Sequence, residues 1–242
     1  MRNILIIVVV VIGLIAGICL FAGHWMQRAF FYPKPHALPA VVTDTTDALL
    51  NRLQLVLEKK APLMGRTLQP GLSAAQIAEL EVLGGFQLSE DLKALYRWHN
   101  GMPRSSTGGL LPGNRFIPLE EVVQENAHLA QQLQSVSFMQ RLAFSVFASH
   151  RKGWVQVLND GSGDGYFYDP ARADAAGAFF FSFAETRSYV WFPSLRNFLS
   201  GVIDAYESGA IRPAADGIEF DEDYEKTQKI WMRLGESNEA QL

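Results

Sequence analysis

An unbroken apolar run, Ile4 to Ala22, opens the chain, and behind it apolar positions recur first at helical and then at strand spacing. At about 1.5 Å of rise per residue, a helix of about 19 residues approaches the thickness of a bilayer's hydrocarbon core. Such a helix satisfies its own backbone in lipid. Ile4, Ile7, Val11, Leu14, Ile18 and Phe21 are therefore read as a membrane anchor, with Trp25 in the headgroup layer. Two alternatives stay open at this point. A cleaved signal peptide normally has a shorter apolar core and a small-x-small site, and Phe21 is bulky there. Ala16-Gly17-Ile18-Cys19 faintly resembles a lipoprotein site, with Ile18 too large before the Cys. The Lys/Arg balance across the run nearly cancels, Arg2 on one side and Arg28 with Lys34 on the other. The short tail bearing Arg2 tips the expected topology slightly toward a globular part on the exported side.

Pro33, Pro35 and Pro39 predict a stiff juxtamembrane linker over 25–42. Thr43-Asp44 then leads into Leu49, Leu50, Leu53, Val56 and Leu57 at helical spacing, and Gly65 to Gly71 reads as a loop. Ser73 is placed as an N-cap before Ile77, Leu80 and Leu83, with Gly84-Gly85 ending that helix. Ser89 caps the next, whose Leu92, Leu95, Tyr96 and Trp98 run into Asn100-Gly101. Phe116 to Leu119 predicts a strand that Pro118 assigns to an edge, and Glu120 to Leu133 a helix.

From Leu142 the period changes to that of strands: Ala143–Ala148, Trp154–Leu158, Gly165–Tyr168 and Ala178–Phe183. Asn159 to Asp164 is a turn signal between two of them. Ser194 caps a closing helix through Leu195, Phe198, Leu199, Ile203 and Tyr206 to Gly209. Glu219 to Arg233 reads as a tail helix and Gly235 onward as unstructured. Helices, then antiparallel strands, then a closing helix make the fold class α+β.

Composition narrows the function. The net charge of -4 gives no basic face for nucleic acid. The only cysteine, Cys19, lies inside the apolar run, so the remainder has no disulfide and no cysteine metal site. The five histidines, His24, His36, His99, His128 and His150, show no metal-ligand spacing, and His99 reads as a helix-end cap. Asp160-x-Ser162-x-Asp164-Gly165 resembles the start of a calcium loop, but the twelfth position is Ala171 and the flanks are strands. A hairpin turn is the simpler reading, with a weak metal site as its alternative. Gly161-Ser162-Gly163 falls short of a nucleophile elbow, and no phosphate loop is present. The expectation is no catalytic residue, no metal, no cofactor and no small-molecule substrate. Tyr166 and Tyr168 project from one face of their strand and Phe167 from the other. The two tyrosines are either core or, with Asp160, Asp164 and Asp169 as an acidic rim, a contact patch for a basic protein.

The segment GLSAAQIAELEVLGGFQLSEDLKALYRWHNG, Gly71 to Gly101, resembles the opening of the SUKH superfamily. The matching positions are Ile77, Glu81, Gly85, Tyr96, Asn100 and Gly101, with Ser89 standing where the family usually has Pro. Pro118 in the strand that enters a helix, Asp169 after the hairpin strand, and Ser194 with Phe198 in the closing helix follow in family order. That superfamily includes a fungal regulator of cell-wall assembly and killer-toxin resistance and many bacterial immunity proteins. The resemblance implies a protein-binding fold over 71–209, preceded by an anchor (1–24), the linker and an extra helix (43–70), and followed by an acidic tail (210–242). With the anchor read from the apolar run, the expectation is a membrane-held module, which the resemblance makes non-catalytic, with a toxin or, alternatively, an envelope-assembly protein as its partner.

Overall fold

Short polar caps set where five of the seven described helices begin, and the apolar positions behind them decide what each packs on. In the computed structural model of the protein, the described residues are 40, 42–106, 108–135, 154–169, 179–182, 190–214 and 220–235. The predicted anchor, the linker up to Pro39, the strand expected at Ala143–Ala148, His150 and the residues from Glu236 on lie outside them. Among the described residues no helix is long and apolar enough to cross a membrane.

Helix α1, Thr46–Lys60, starts two residues later than Thr43-Asp44 suggested, because the Thr45 side chain is the one that accepts from Ala48 N. Its Leu49, Leu50, Leu53, Val56 and Leu57 are buried as their spacing predicts. The expected loop from Gly65 is corrected: a short helix α2, Pro62–Thr67, occupies its first part. Pro62 stands in the first turn, where its missing N–H costs nothing, and Met64 seats the helix in the core.

Helix α3, Ala74–Gly84, carries a full capping box. Ser73 Oγ accepts from Gln76 N at 3.3 Å, and Gln76 Oε1 accepts from Ser73 N at 2.9 Å. Ser73→Ala is expected to lower stability by about 1 kcal/mol, read as a lower denaturant midpoint at unchanged slope. Gly85 closes the helix at φ +65°. The predicted apolar stripe holds only in part: Ile77 is buried and Leu80 half-buried, but Leu83 is 66% exposed. Steps of three residues fall short of a 3.6-residue turn, so two of them rotate Leu83 off the buried face. Helix α4, Glu90–Trp98, is capped by Ser89 Oγ on Leu92 N.

Strand β1, Arg115–Phe116, is shorter than the sequence suggests and lies at the sheet edge. Pro118 ends it, and Leu119 already belongs to helix α5, Leu119–Ser135. The sheet continues through β2 (Val155–Asn159), β3 (Gly165–Tyr168), β4 (Phe179–Ser182) and β5 (Val190–Phe192), an antiparallel meander in sequence order. The registers place Phe116 opposite Leu158, Tyr166 opposite Phe181 and Phe179 opposite Phe192. Strand β5 has only three residues, and the sequence reading passed over it as the approach to a helix cap.

Alternation divides the sheet into two apolar clusters. Val155, Tyr166, Tyr168, Phe179 and Phe192 face the main core, while Trp154, Phe167 and Phe180 form a separate cluster. Helix α6, Leu195–Ser208, covers the main face, capped by Ser194 Oγ on Asn197 N and closed by Gly209. Phe198 is the centre of that layer, with ring centroids 4.4 Å from Phe179, 5.1 Å from Tyr166 and 5.4 Å from Phe192.

The tail departs from expectation. A two-stranded hairpin, β6 (Ile211–Pro213) with β7 (Phe220–Glu222), precedes a helix α7 that spans Tyr224–Leu234, capped by Asp223. Trp231 of α7 lies edge-on to Phe192 and stacks on Phe198. Gly201 makes room for it, since a Cβ there would stand 2.8 Å from Trp231 Cε3. Helix α1 and helix α7 thus share one core with the segment between them. Asn197 Nδ2 donates to Ala40 O at 2.9 Å and to Leu234 O at 3.1 Å, and Ala40 N donates to Arg233 O.

Candidate functional site

The turn between β2 and β3 builds one wall of a cleft. Asp160 Oδ1 accepts from Ser162 N at 2.8 Å and from Asp164 N at 3.1 Å, and its Oδ2 accepts from Ser162 Oγ at 2.6 Å. Asn159 Oδ1 accepts from Gly161 N. Gly161 at φ +88° and Gly163 at +105° take the left-handed backbone that the turn needs. The carboxylate is thus engaged in shaping the turn, as the hairpin reading holds. Among the described residues no cluster of three His, Cys, Asp or Glu is gathered for a metal ion.

The opposite wall is the Gly- and Pro-rich loop before β1, with Gly108, Gly109, Pro112 and Gly113 along the cleft. Met102 N donates to Phe116 O, and Asn114 Nδ2 to Pro112 O. Arg115 locks the loop to α5: its Nη1 donates to Met102 O at 2.9 Å, and its guanidinium meets Glu121 at 2.7 and 3.2 Å. One side of α5 forms the third wall with Val122, Glu125 and Asn126, and Asn126 Nδ2 donates to Trp154 O. The floor is Trp154, Gln156 and Phe167. The enclosed volume is about 820 Å³.

Two groups in the cleft are left without partners. Glu125 follows Glu121 by one turn, but Glu121 is matched by Arg115 while no cation among the described residues bonds Glu125. Desolvation in the cleft wall, and then the neighbouring Glu121, push the Glu125 carboxyl above its ordinary range. Arg104, which lines the cleft, and Arg115 partly oppose that shift. Gln156 is 8% exposed, and its buried Nε2 has no hydrogen-bond partner. Gly165 accommodates it, because a Cβ there would stand 3.0 Å from that nitrogen.

The positions singled out in the sequence fall into two groups. Those carrying the family resemblance are framework. Ile77 and Phe198 are core. Glu81 Oε1 accepts from Leu88 N at 2.6 Å, fixing the turn into α4. Tyr96 is fully buried with its hydroxyl on Ile117 O, and burial, then the nearby Glu120, push that hydroxyl well above its ordinary range. Asn100 Oδ1 accepts from Leu119 N at 3.0 Å and its Nδ2 donates to Glu120 at 2.7 Å, so it caps α5 from a distance. Gly101 and Pro118 are pressed together, and Ser194 caps α6. His99 is the C-cap of α4, its backbone N–H donating to Leu95 O, while its ring bridges Gln69 O and Gln54 Oε1.

The proposed contact patch is corrected. Tyr166 and Tyr168 are buried in the main core and Asp169 is buried behind them. In a meander covered by α6, the face they share is the inner one. Of the acidic rim, Asp160 is exposed and lines the cleft, whereas Asp164 is half-buried. The residues that make the cleft, Glu125, Trp154, Gln156 and Phe167, carry no motif. Only the chain path through α5 and β2 brings them together, although the Gly-rich loop and the Asp-Gly-Ser-Gly turn did mark its two rims.

A family model described as the SMI1 / KNR4 family (SUKH-1) matches residues 71–201. No curated protein matches the chain.

Proposed function

The chain belongs to the SMI1 / KNR4 family (SUKH-1), and on that premise we propose that it is a non-catalytic protein-binding module held at a membrane. Its finer role is immunity: it captures a toxin and blocks it by occupying surface, with no bond made or broken by this chain. The observation that carries the binding role is the cleft of about 820 Å³, with the buried, unpartnered Nε2 of Gln156 in its floor and the Glu125 carboxylate in its wall. That size falls in the range of pockets that enclose a ligand or a short protruding segment. The immunity role is supported by the use that bacterial members make of this family. The membrane attachment is supported by the apolar run from Ile4 to Ala22, with the globular part on the exported side.

The test is a cross-linked pull-down of the tagged full-length protein in detergent, read by mass spectrometry. One dominant partner carrying a toxin domain is the expected result. A spread of envelope-assembly proteins without a toxin would overturn immunity and favour a regulator of wall assembly. Capture of no protein at all would overturn the binding module itself.

A further inference from the structure

We propose that the cleft receives a basic peptide segment of the partner, with a guanidinium or ammonium group against Glu125 and the aromatic floor, and an adjoining peptide group on Gln156. This rests on the binding-module reading and names the chemistry of what is bound.

Three independent features converge on that ligand. The first is charge. The cleft's Arg115 is neutralised by Glu121 through two hydrogen bonds. What remains along the lining is Arg104 against Glu125 and Asp160, an acidic excess. A cation entering there meets an exposed carboxylate that no cation among the described residues bonds. Charge-assisted hydrogen bonds of this kind are stronger than neutral ones. Desolvation and Glu121 raise the Glu125 carboxyl, and Arg104 and Arg115 only partly offset them.

The second is the floor. Trp154 and Phe167 line the cleft and belong to the aromatic cluster on the far side of the sheet from α6. Trp154 packs edge-on against Phe180 with centroids 4.6 Å apart, which holds its ring in one orientation. Trp154 and Phe167 are 4% and 5% exposed, so the floor they close is an apolar surface for the stem of a long basic side chain.

The third is Gln156. A buried carboxamide without a partner destabilises the free protein and is relieved by a ligand that completes it. A carboxamide presents a donor and an acceptor, the same pair that a peptide unit offers in reverse. A free metal ion or a small amine would answer Glu125 alone. A peptide bearing a basic side chain answers Glu125, the rings and Gln156 together.

The experiment titrates the detergent-solubilised full-length protein with acetyl-Gly-Ser-Arg-Ser-Gly-amide, followed by NMR of its tryptophan and glutamine side-chain N–H groups. The control peptide carries citrulline in place of arginine, the same shape without the charge. The arginine peptide is expected to bind tighter than the citrulline one by about tenfold or more, the scale of one charged hydrogen bond. Glu125→Gln should erase that difference. Gln156→Met, which fills the same space without an unpaired N–H, should weaken both peptides while the folded protein melts no lower than wild type.

Equal binding of the two peptides, no binding of either, or an unchanged difference in Glu125→Gln would overturn the proposal. The same variant in the pull-down separates the two readings. A partner captured equally by wild type and Glu125→Gln sinks the cleft and leaves the binding module standing. Loss of that partner only in Glu125→Gln supports both.

Discussion

Phe198→Ala is expected to remove about 3–5 kcal/mol of folding stability, the range seen when a large buried aromatic is cut to alanine. A domain of ordinary size has about 5–15 kcal/mol in total, so this one change consumes much of the margin. The reason lies in what Phe198 touches. It stands on α6 and contacts Tyr166 of β3, Phe179 of β4, Phe192 of β5 and Trp231 of α7. The ring thus joins four elements that no single hydrogen-bond ladder unites, and the cavity left behind is walled by aromatic side chains too stiff to collapse into it. Denaturant unfolding should show a much lower midpoint with the slope nearly unchanged. Phe198→Leu keeps most of the volume and should cost far less, about 1–2 kcal/mol. A Phe198→Ala midpoint within error of wild type would mean that the aromatic layer is not the keystone described.

Gly101→Ala is the second large effect, about 3 kcal/mol or more, from strain rather than from a void. Gly101 has φ +69° and lies against the chain just before α5. A Cβ would stand 2.6 Å from Ile117 C and 2.9 Å from Phe116 O. Those are backbone atoms held by their own hydrogen bonds, Phe116 O by Met102 N and Ile117 N by Val157 O, so they cannot yield as a side-chain tip would. For a chain of this size the melting temperature should fall by about 6–12 °C. Gly113→Ala is the matched control. It has φ +67° but open space around it, so it should show only the left-handed penalty of about 1–2 kcal/mol. Equal losses at the two glycines would assign the effect to backbone conformation and discard the close approach.

The α+β architecture was legible because local chemistry marks it strongly. Ser73, Ser89 and Ser194 are caps in the sequence and caps in the structure, each accepting from the backbone three residues on. The β2–β3 hairpin was legible from Asp160 and its glycines, whose requirements are met within six residues. Side-chain direction was legible where the period was two: Phe167 does part from Tyr166 and Tyr168. Periodicity cannot say which face is inner, because that depends on where α6 is laid down. The sequence therefore leaves the tyrosines open as core or contact patch, and the structure makes them core.

Length defeated the reading elsewhere. Strand β5 and strands β6 and β7 have three residues each, too few to show a period. The cleft was hardest to see. Glu125, Trp154 and Gln156 lie on two elements, and no local rule relates a helix wall to the floor beside it. The motif that identified the family marks residues that hold the scaffold rigid, whereas the surface that would meet a partner is built from residues without a signature.

Asn197 joins Ala40 to Leu234, while Ala40 also bonds Arg233, so the first described residue is latched to the last turn of α7. Tension applied to the leading segment would reach the protein at this latch, on the α6 side of the sheet. Three hydrogen bonds would carry the load before any strand pair felt it, and the cleft lies beyond the sheet from them. On the proposed reading of the leading segment as an anchor and the cleft as a binding site, pulling on the one would load this latch and leave the other closed.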